Sequence, residues 1–262
     1  MDHSIDHREY FKAYRATLGF TNQRSAKDFL AGKDILPGID YEYISELVNR
    51  LNRIVNSINQ AFYEQIQRRN IEQFCKDQIT GTYQQIKEAG ILPRLNNQGR
   101  RPEQVLFSWL RGYAIAQYLL PSLGHVFGVK TNMFRSVGDD DFTSFETFKR
   151  TPRADFELTL GTKIVILEIQ SGYQGINDIK QHKVLVAKKQ LGQSGKPTVC
   201  IHLDTFNGQI AMVRLDKIEE SDINWITRQQ MEGQTVFNID QGLFAWRIMD
   251  PPPTLESLQL GL

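Results

Sequence analysis

The feature that most constrains this chain is the order of its apolar runs after residue 153. RADFELTLGTKIVILEIQSG, residues 153–172, holds two β-branched runs separated by Gly161 and Thr162. A helix-patterned segment follows, then PTVCIHLD and QIAMVRLDKI. Short runs rich in Val, Ile, Phe and Thr between Gly, Asp and Asn turns read as strands. VKTNMFRSV before them and QTVFNI after them read the same way. The segment GINDIKQHKVLVAKKQLGQSGK is expected to be a helix, capped by Asn177 or Asp178 and ended at Gly192. A strand, a helix and a strand in that order predict a parallel crossover, which is right-handed in nearly all folds.

Upstream the period is helical. In YEYISELVNRLNRIVNSINQAFYEQIQRRNIEQFC, residues Ile44, Leu47, Val48, Leu51, Ile54, Val55, Ile58 and Phe62 recur at steps of three and four. That is one face of a long amphipathic helix; Arg50, Arg53, Arg68 and Arg69 are expected on its solvated side. After AGILPRLNNQGRR, a nearly apolar helix starts at Pro102, a residue suited to a first helical turn, and is expected to close or kink at Pro121 and Gly124. The proline run at 251–253 stops the last strand region, leaving the final residues as an arm or a disordered tail.

Composition limits the function classes. The 262 residues carry 31 Lys and Arg against 30 Asp and Glu, a net charge of +1, so any surface for a polyanion must be local. Cys75 and Cys200 lack metal-ligand spacing and suggest a reducing compartment. The polar N-terminus and the lack of a long apolar span give an expected cytoplasmic location with no membrane association.

The chemistry concentrates on one strand. Side chains alternate along it, so Ile164, Ile166, Glu168 and Gln170 share one face, and Val165, Leu167 and Ile169 the other. An ionised carboxylate ending a buried run is costly unless paired or on a metal. A hairpin turning at Gly161 and Thr162 brings Asp155 beside Glu168. Two carboxylates and the Ile169 carbonyl are hard oxygen ligands suited to Mg²⁺; a structural ion pair with Arg153 or Lys163 accounts for the same spacing. Glu157 shares the Asp155 face, and Asp139, Asp140 and Asp141 read as an exposed turn.

ADFEL, twelve residues between Asp155 and Glu168, and ILEIQSG ahead of a helix bearing INDIKQHK together resemble the PD-(D/E)XK nuclease superfamily, in particular type II restriction endonucleases. The resemblance covers roughly residues 100–215 and implies an α/β, restriction-endonuclease-like core: a central mixed sheet flanked by helices, with a helical N-terminal region. It implies three segments, a helical region for dimerisation or DNA clamping at 1–98, the nuclease core at 99–250 and a C-terminal arm at 251–262. Asp155 and Glu168 take the metal-binding positions, with the Ile169 carbonyl between Glu168 and Gln170 as a further ligand, and Mg²⁺ is the implied cofactor. Gln170 stands where the family has lysine. Three explanations fit: an active site that works with glutamine, a lysine reaching back from the next helix (Lys180 or Lys183), or a silent DNA-binding module. Glu103 matches a helix-borne acid that some members use, or is a helix-start acid favoured by the macrodipole. His182 reads as a surface residue or phosphate contact. Tyr173, Gln174 and Asn177 of the loop after the strand are the candidate DNA contacts. The implied function is Mg²⁺-dependent type II cleavage of double-stranded DNA by a homodimer, the alternative being a structure-selective repair or recombination nuclease.

Overall fold

The computed structural model describes residues 7–32, 35–95, 100–137, 154–229 and 233–262. Helices α1 (His7–Thr17) and α2 (Gln23–Leu30) bury none of their described residues. Helix α3 (Tyr41–Ala61) starts at Asp40, whose carboxylate accepts the Tyr43 N–H, and buries Ile44, Leu47, Val48, Leu51 and Val55 at the predicted spacing. It ends with the apolar pattern, capped at Phe62, so Arg68 and Arg69 lie beyond it, in a turn held by local side chains. Asn59 brackets Arg68 through both its backbone groups, and Gln67 donates to the Phe62 carbonyl. The chain turns helical again at α4 (Ile71–Phe74), widens to a π-helix over Cys75–Gly81, and continues as α5 (Thr82–Glu88).

Helix α6 (Pro102–Phe127) is the buried axis of the helical layer. Pro102 does stand at its start, but neither Pro121 nor Gly124 ends it; the stop is Gly128, in the left-handed conformation at φ 66°. A proline at 121 removes the N–H that would bond the Gln117 carbonyl. The Arg68 guanidinium donates to that carbonyl at 2.6 Å and to Tyr118 O at 3.3 Å, replacing the missing donor. It also lies over the Phe74 ring at 4.3 Å. Arg68 is thus a half-buried prop for α6, not part of a solvated helix face.

Among the described residues six strands form the main sheet, in the order β1 (Phe134–Ser136), β2 (Phe156–Leu160), β3 (Lys163–Gly172), β5 (Thr198–Asp204), β6 (Gln209–Arg214), β9 (Phe244–Arg247). Strands β3 and β5 pair in parallel; β1/β2, β2/β3, β5/β6 and β6/β9 are antiparallel. The parallel pair is joined through β4 (Asp178–Lys180) and α7 (Gln181–Ser194), the predicted crossover. Strand β4 pairs with β8 (Gln234–Asn238), and β8 with β7 (Trp225–Arg228), as a small second sheet. The α/β architecture, a mixed central sheet flanked by helices, is as expected. One sheet face, with Val165, Leu167, Ile169 and Ile201, packs in one core with α3 and α6. The other, with Cys200, Ala211 and Val213, packs on Val184 and Ala187 of α7 and on Ile179 and Phe237.

Three details differ from the sequence reading. Helix α7 runs past Gly192 to Gly195, whose φ is 67°, and no side chain caps its start, since Asp178 is in a strand. Strands β4, β7 and β9 are three or four residues long, too short to show alternation in sequence. The C-terminal residues are docked: Arg214 Nη1 donates to the Leu260 and Gly261 carbonyls, and Leu260 is buried. Arg153 and Asp139 to Asp141 lie outside the described residues. Among the described residues no helix is long and apolar enough to cross a membrane.

Candidate active site

The β2–β3 hairpin turns at Gly161, whose positive φ of 61° suits glycine. Phe156 pairs with Leu167, and the Asp155 N–H continues the ladder to Leu167 O at 3.1 Å. One residue further, the register sets Asp155 opposite Glu168, and the alternation puts both carboxylates on one face. Asp155 Oδ2 accepts the Ile169 N–H at 2.6 Å. Asp155 and Glu168 line a cavity of about 870 Å³ between α6, the hairpin and the start of α7, together with Arg111, Gln170, Lys180 and Lys183.

Helix α7 begins at Gln181, so Lys183 sits in its first turn, and its ammonium makes a hydrogen-bonded ion pair with Glu168 Oε1. Burial works to lower the Lys183 pKa, but the charge and hydrogen bond of Glu168, with Asp155 adding to them, hold it above the usual lysine range. The side chain is protonated at neutral pH. Lys180 lines the cavity as the residue before the helix. His182 lines it too, and burial, then the charges of Lys180 and Lys183, keep its imidazole below the usual range.

Two carboxylates beside a strand carbonyl suit a hard cation that keeps several waters, such as Mg²⁺. Among the described residues no group of three His, Cys, Asp or Glu side chains is placed to hold a metal. Gln170 shares the Glu168 face and lines the cavity. Its amide nitrogen is 2.9 Å from His202 Nδ1 and 3.3 Å from Asp178 O. His202 is buried, and burial, only partly offset by Asp204 and Asp178, pushes its pKa down to about 4.

Other residues named from sequence lie elsewhere or are engaged. Glu103 is fully buried at the start of α6, outside the cavity lining. Its carboxylate accepts the Asp40 N–H and the Arg101 guanidinium, so it ties the starts of α3 and α6 together. Glu157 does line the cavity, but Lys196 and Arg135 hydrogen-bond its carboxylate and keep its pKa below the usual range. Tyr173 and Gln174 are exposed, and the Arg111 guanidinium lies 4.7 Å from the Tyr173 ring centre. Asn177 is no surface contact: it is buried, with its side chain bonded to His202 and Asp204. Turn residues look exposed in sequence, and this one closes a buried network instead.

Sequence reasoning missed Arg111 and His202. Arg111 is hidden in the apolar α6 pattern. His202 left a signal, since the alternation in TVCIHLD and a parallel neighbour strand put Cys200 beside Glu168 and His202 beside Gln170.

No family model matches the chain, and no curated protein does. Among solved structures, a Holliday junction resolvase from Archaeoglobus fulgidus aligns with a TM-score of 0.33 and 12% identity, over 51% of this chain and 87% of that one. At that level the likeness decides neither fold nor function.

Proposed function

We propose that the chain is a Mg²⁺-dependent endonuclease that hydrolyses phosphodiester bonds of double-stranded DNA at a short specific sequence, as type II restriction enzymes do. The observation that carries this reading is the convergence of Asp155, Glu168 and Lys183 in one cavity, where a strand pair and the following helix deliver two acids and a half-buried ammonium. A salt bridge alone explains Lys183 and Glu168, but not the second carboxylate opposite them.

Asp155, Glu168 and the Ile169 carbonyl would hold the cation. Mg²⁺ bound there would supply charge neutralisation at the phosphate and orientation of water. The Lys183 ammonium takes the part of the lysine that the strand lacks, and its charge stabilises the negative charge that grows on the phosphate oxygens during attack. Lys180 and Arg111, which both line the cavity, attract the DNA backbone into it. Tyr173 and Gln174 meet the duplex on the loop beyond β3. One site per chain cuts one strand, so cleavage of both strands calls for a homodimer whose two-fold axis matches that of the DNA.

Digestion of plasmid DNA with Mg²⁺, followed by mapping of the ends, tests the reading. Discrete fragments with a common end sequence are expected. Cutting confined to branched or flapped substrates would instead assign the site to a structure-selective nuclease, and no cutting of any DNA would leave a binding module.

A further inference from the structure

The polar side chains beneath Gln170 define how this glutamine is used, given the nuclease reading above. Asp204 is fully buried. Its Oδ1 accepts the Phe206 and Asn207 N–H groups, at 3.0 and 3.3 Å. Its Oδ2 accepts side-chain amides of Asn207 at 2.7 Å, Asn177 at 3.2 Å and Gln209 at 3.3 Å. An ionised carboxylate only accepts, so Asn177 must turn its NH₂ to Asp204 and its oxygen away. That oxygen lies 2.8 Å from His202 Nε2. Nε2 therefore carries the imidazole proton and Nδ1 is bare. Nδ1 then accepts from the Gln170 amide nitrogen at 2.9 Å.

The other end gives the same answer independently. The Asp178 carbonyl, 3.3 Å from that amide nitrogen, is also only an acceptor. Both amide protons of Gln170 are thus spent inside the protein. Its oxygen is the atom left for the cavity that it lines with Asp155 and Glu168.

We infer that Asp204, Asn177 and His202 are positioning residues that fix the Gln170 amide with Oε1 toward the two carboxylates, where it serves as a neutral oxygen contact for a hydrated divalent cation. The lysine of the motif is thereby divided between two residues. Lys183 supplies the positive charge, and Gln170 supplies an oxygen that lysine could not.

The test is a double-mutant cycle on Mg²⁺ affinity, measured by calorimetry on the full chain without DNA. Gln170→Leu and His202→Leu are each expected to weaken Mg²⁺ binding about five-fold, the effect of one neutral contact. The double variant should lose no more than Gln170→Leu alone, because His202 acts through the glutamine. His202→Asn, which keeps an acceptor near the Nδ1 position, should restore most of the affinity. A further loss when His202→Leu is added to Gln170→Leu overturns the relay. Unchanged Mg²⁺ affinity in Asp155→Ala is a different outcome and removes the cation site itself. Should the leucine variants not fold, ¹⁵N-histidine NMR on the unsubstituted chain decides: His202 is expected as the neutral tautomer protonated at Nε2, and a proton on Nδ1 refutes the orientation.

Discussion

Replacing Lys183 by methionine keeps the length of the stem and removes the charge, and the site geometry predicts opposite effects on cation binding and on rate. The side chains of Lys183 and Glu168 are 29% and 15% exposed, so the pair is largely but not wholly withdrawn from water. Breaking a fully buried pair costs about 3–5 kcal/mol, and the residual exposure reduces this to about 2 kcal/mol here. Without the ammonium, Glu168 loses its ion-pair partner. Mg²⁺ no longer enters against a resident charge; a unit charge at about 4 Å is worth ~4 kcal/mol at an effective dielectric constant of 20. Allowing for screening, affinity should tighten by about ten-fold or more. The rate should move the other way, by about 10²-fold or more, as expected for losing an electrostatic contributor. Thermal unfolding with and without Mg²⁺, Mg²⁺ calorimetry and single-turnover cleavage measure the three effects, and added Mg²⁺ should recover part of the lost stability. A Lys183→Met protein that cuts DNA at the parental rate refutes the catalytic role of the lysine. Unchanged stability and cation affinity would remove the ion pair.

Three further outcomes are expected. Gln170→Ala should slow single-turnover cleavage only several-fold, one neutral contact's worth, while Asp155→Ala and Glu168→Ala each lose about 10²-fold or more; equal losses in all three would put Gln170 in a larger role. Arg68→Met should lower stability by about 2–3 kcal/mol, from the orphaned Gln117 carbonyl and the lost aromatic contact, and adding Pro121→Ala should recover part of this by restoring a backbone donor, as urea titration will show; no recovery would mean the guanidinium does not stand in for the proline. His202 has a folded pKa of about 4 against an ordinary 6.5, so its contribution is complete above pH 6.5 and is lost as pH falls toward 4, by up to about 3 kcal/mol. The urea midpoint of the parent chain should accordingly fall more steeply over that window than that of His202→Asn, and superimposed profiles would contradict it.

The two acids were legible because strand alternation and a glycine turn leave few other arrangements for Asp155 and Glu168. The choice between Lys180 and Lys183 was not, since it depends on where α7 starts. A start near Asn177 would have placed both lysines on the helix; the start at Gln181 leaves Lys180 before it and aims Lys183 at the sheet. The reason is tertiary: Asp178 to Lys180 pair with β8 sixty residues on, a contact no local pattern announces. That the helix continues past Pro121 was hidden for a similar reason, because the donor that replaces the missing N–H, Arg68, comes from a distant turn. Glu103 could be read as a site acid or as a helix-start acid, and its partners, Arg101 and the Asp40 N–H, were not legible in the sequence. Position along a helix says nothing of which groups a buried carboxylate will meet.

The central claim is that Asp155 and Glu168 form a cation site that cleaves DNA, and the most direct test is single-turnover cleavage of mixed-sequence duplex DNA by the parent chain, Asp155→Ala and Glu168→Ala, with Mg²⁺ and with excess EDTA. Cleavage by the parent with Mg²⁺ alone, abolished by EDTA and by either alanine, is the result expected. Cleavage that persists in EDTA, or an Asp155→Ala protein that cuts as fast as the parent, would contradict it.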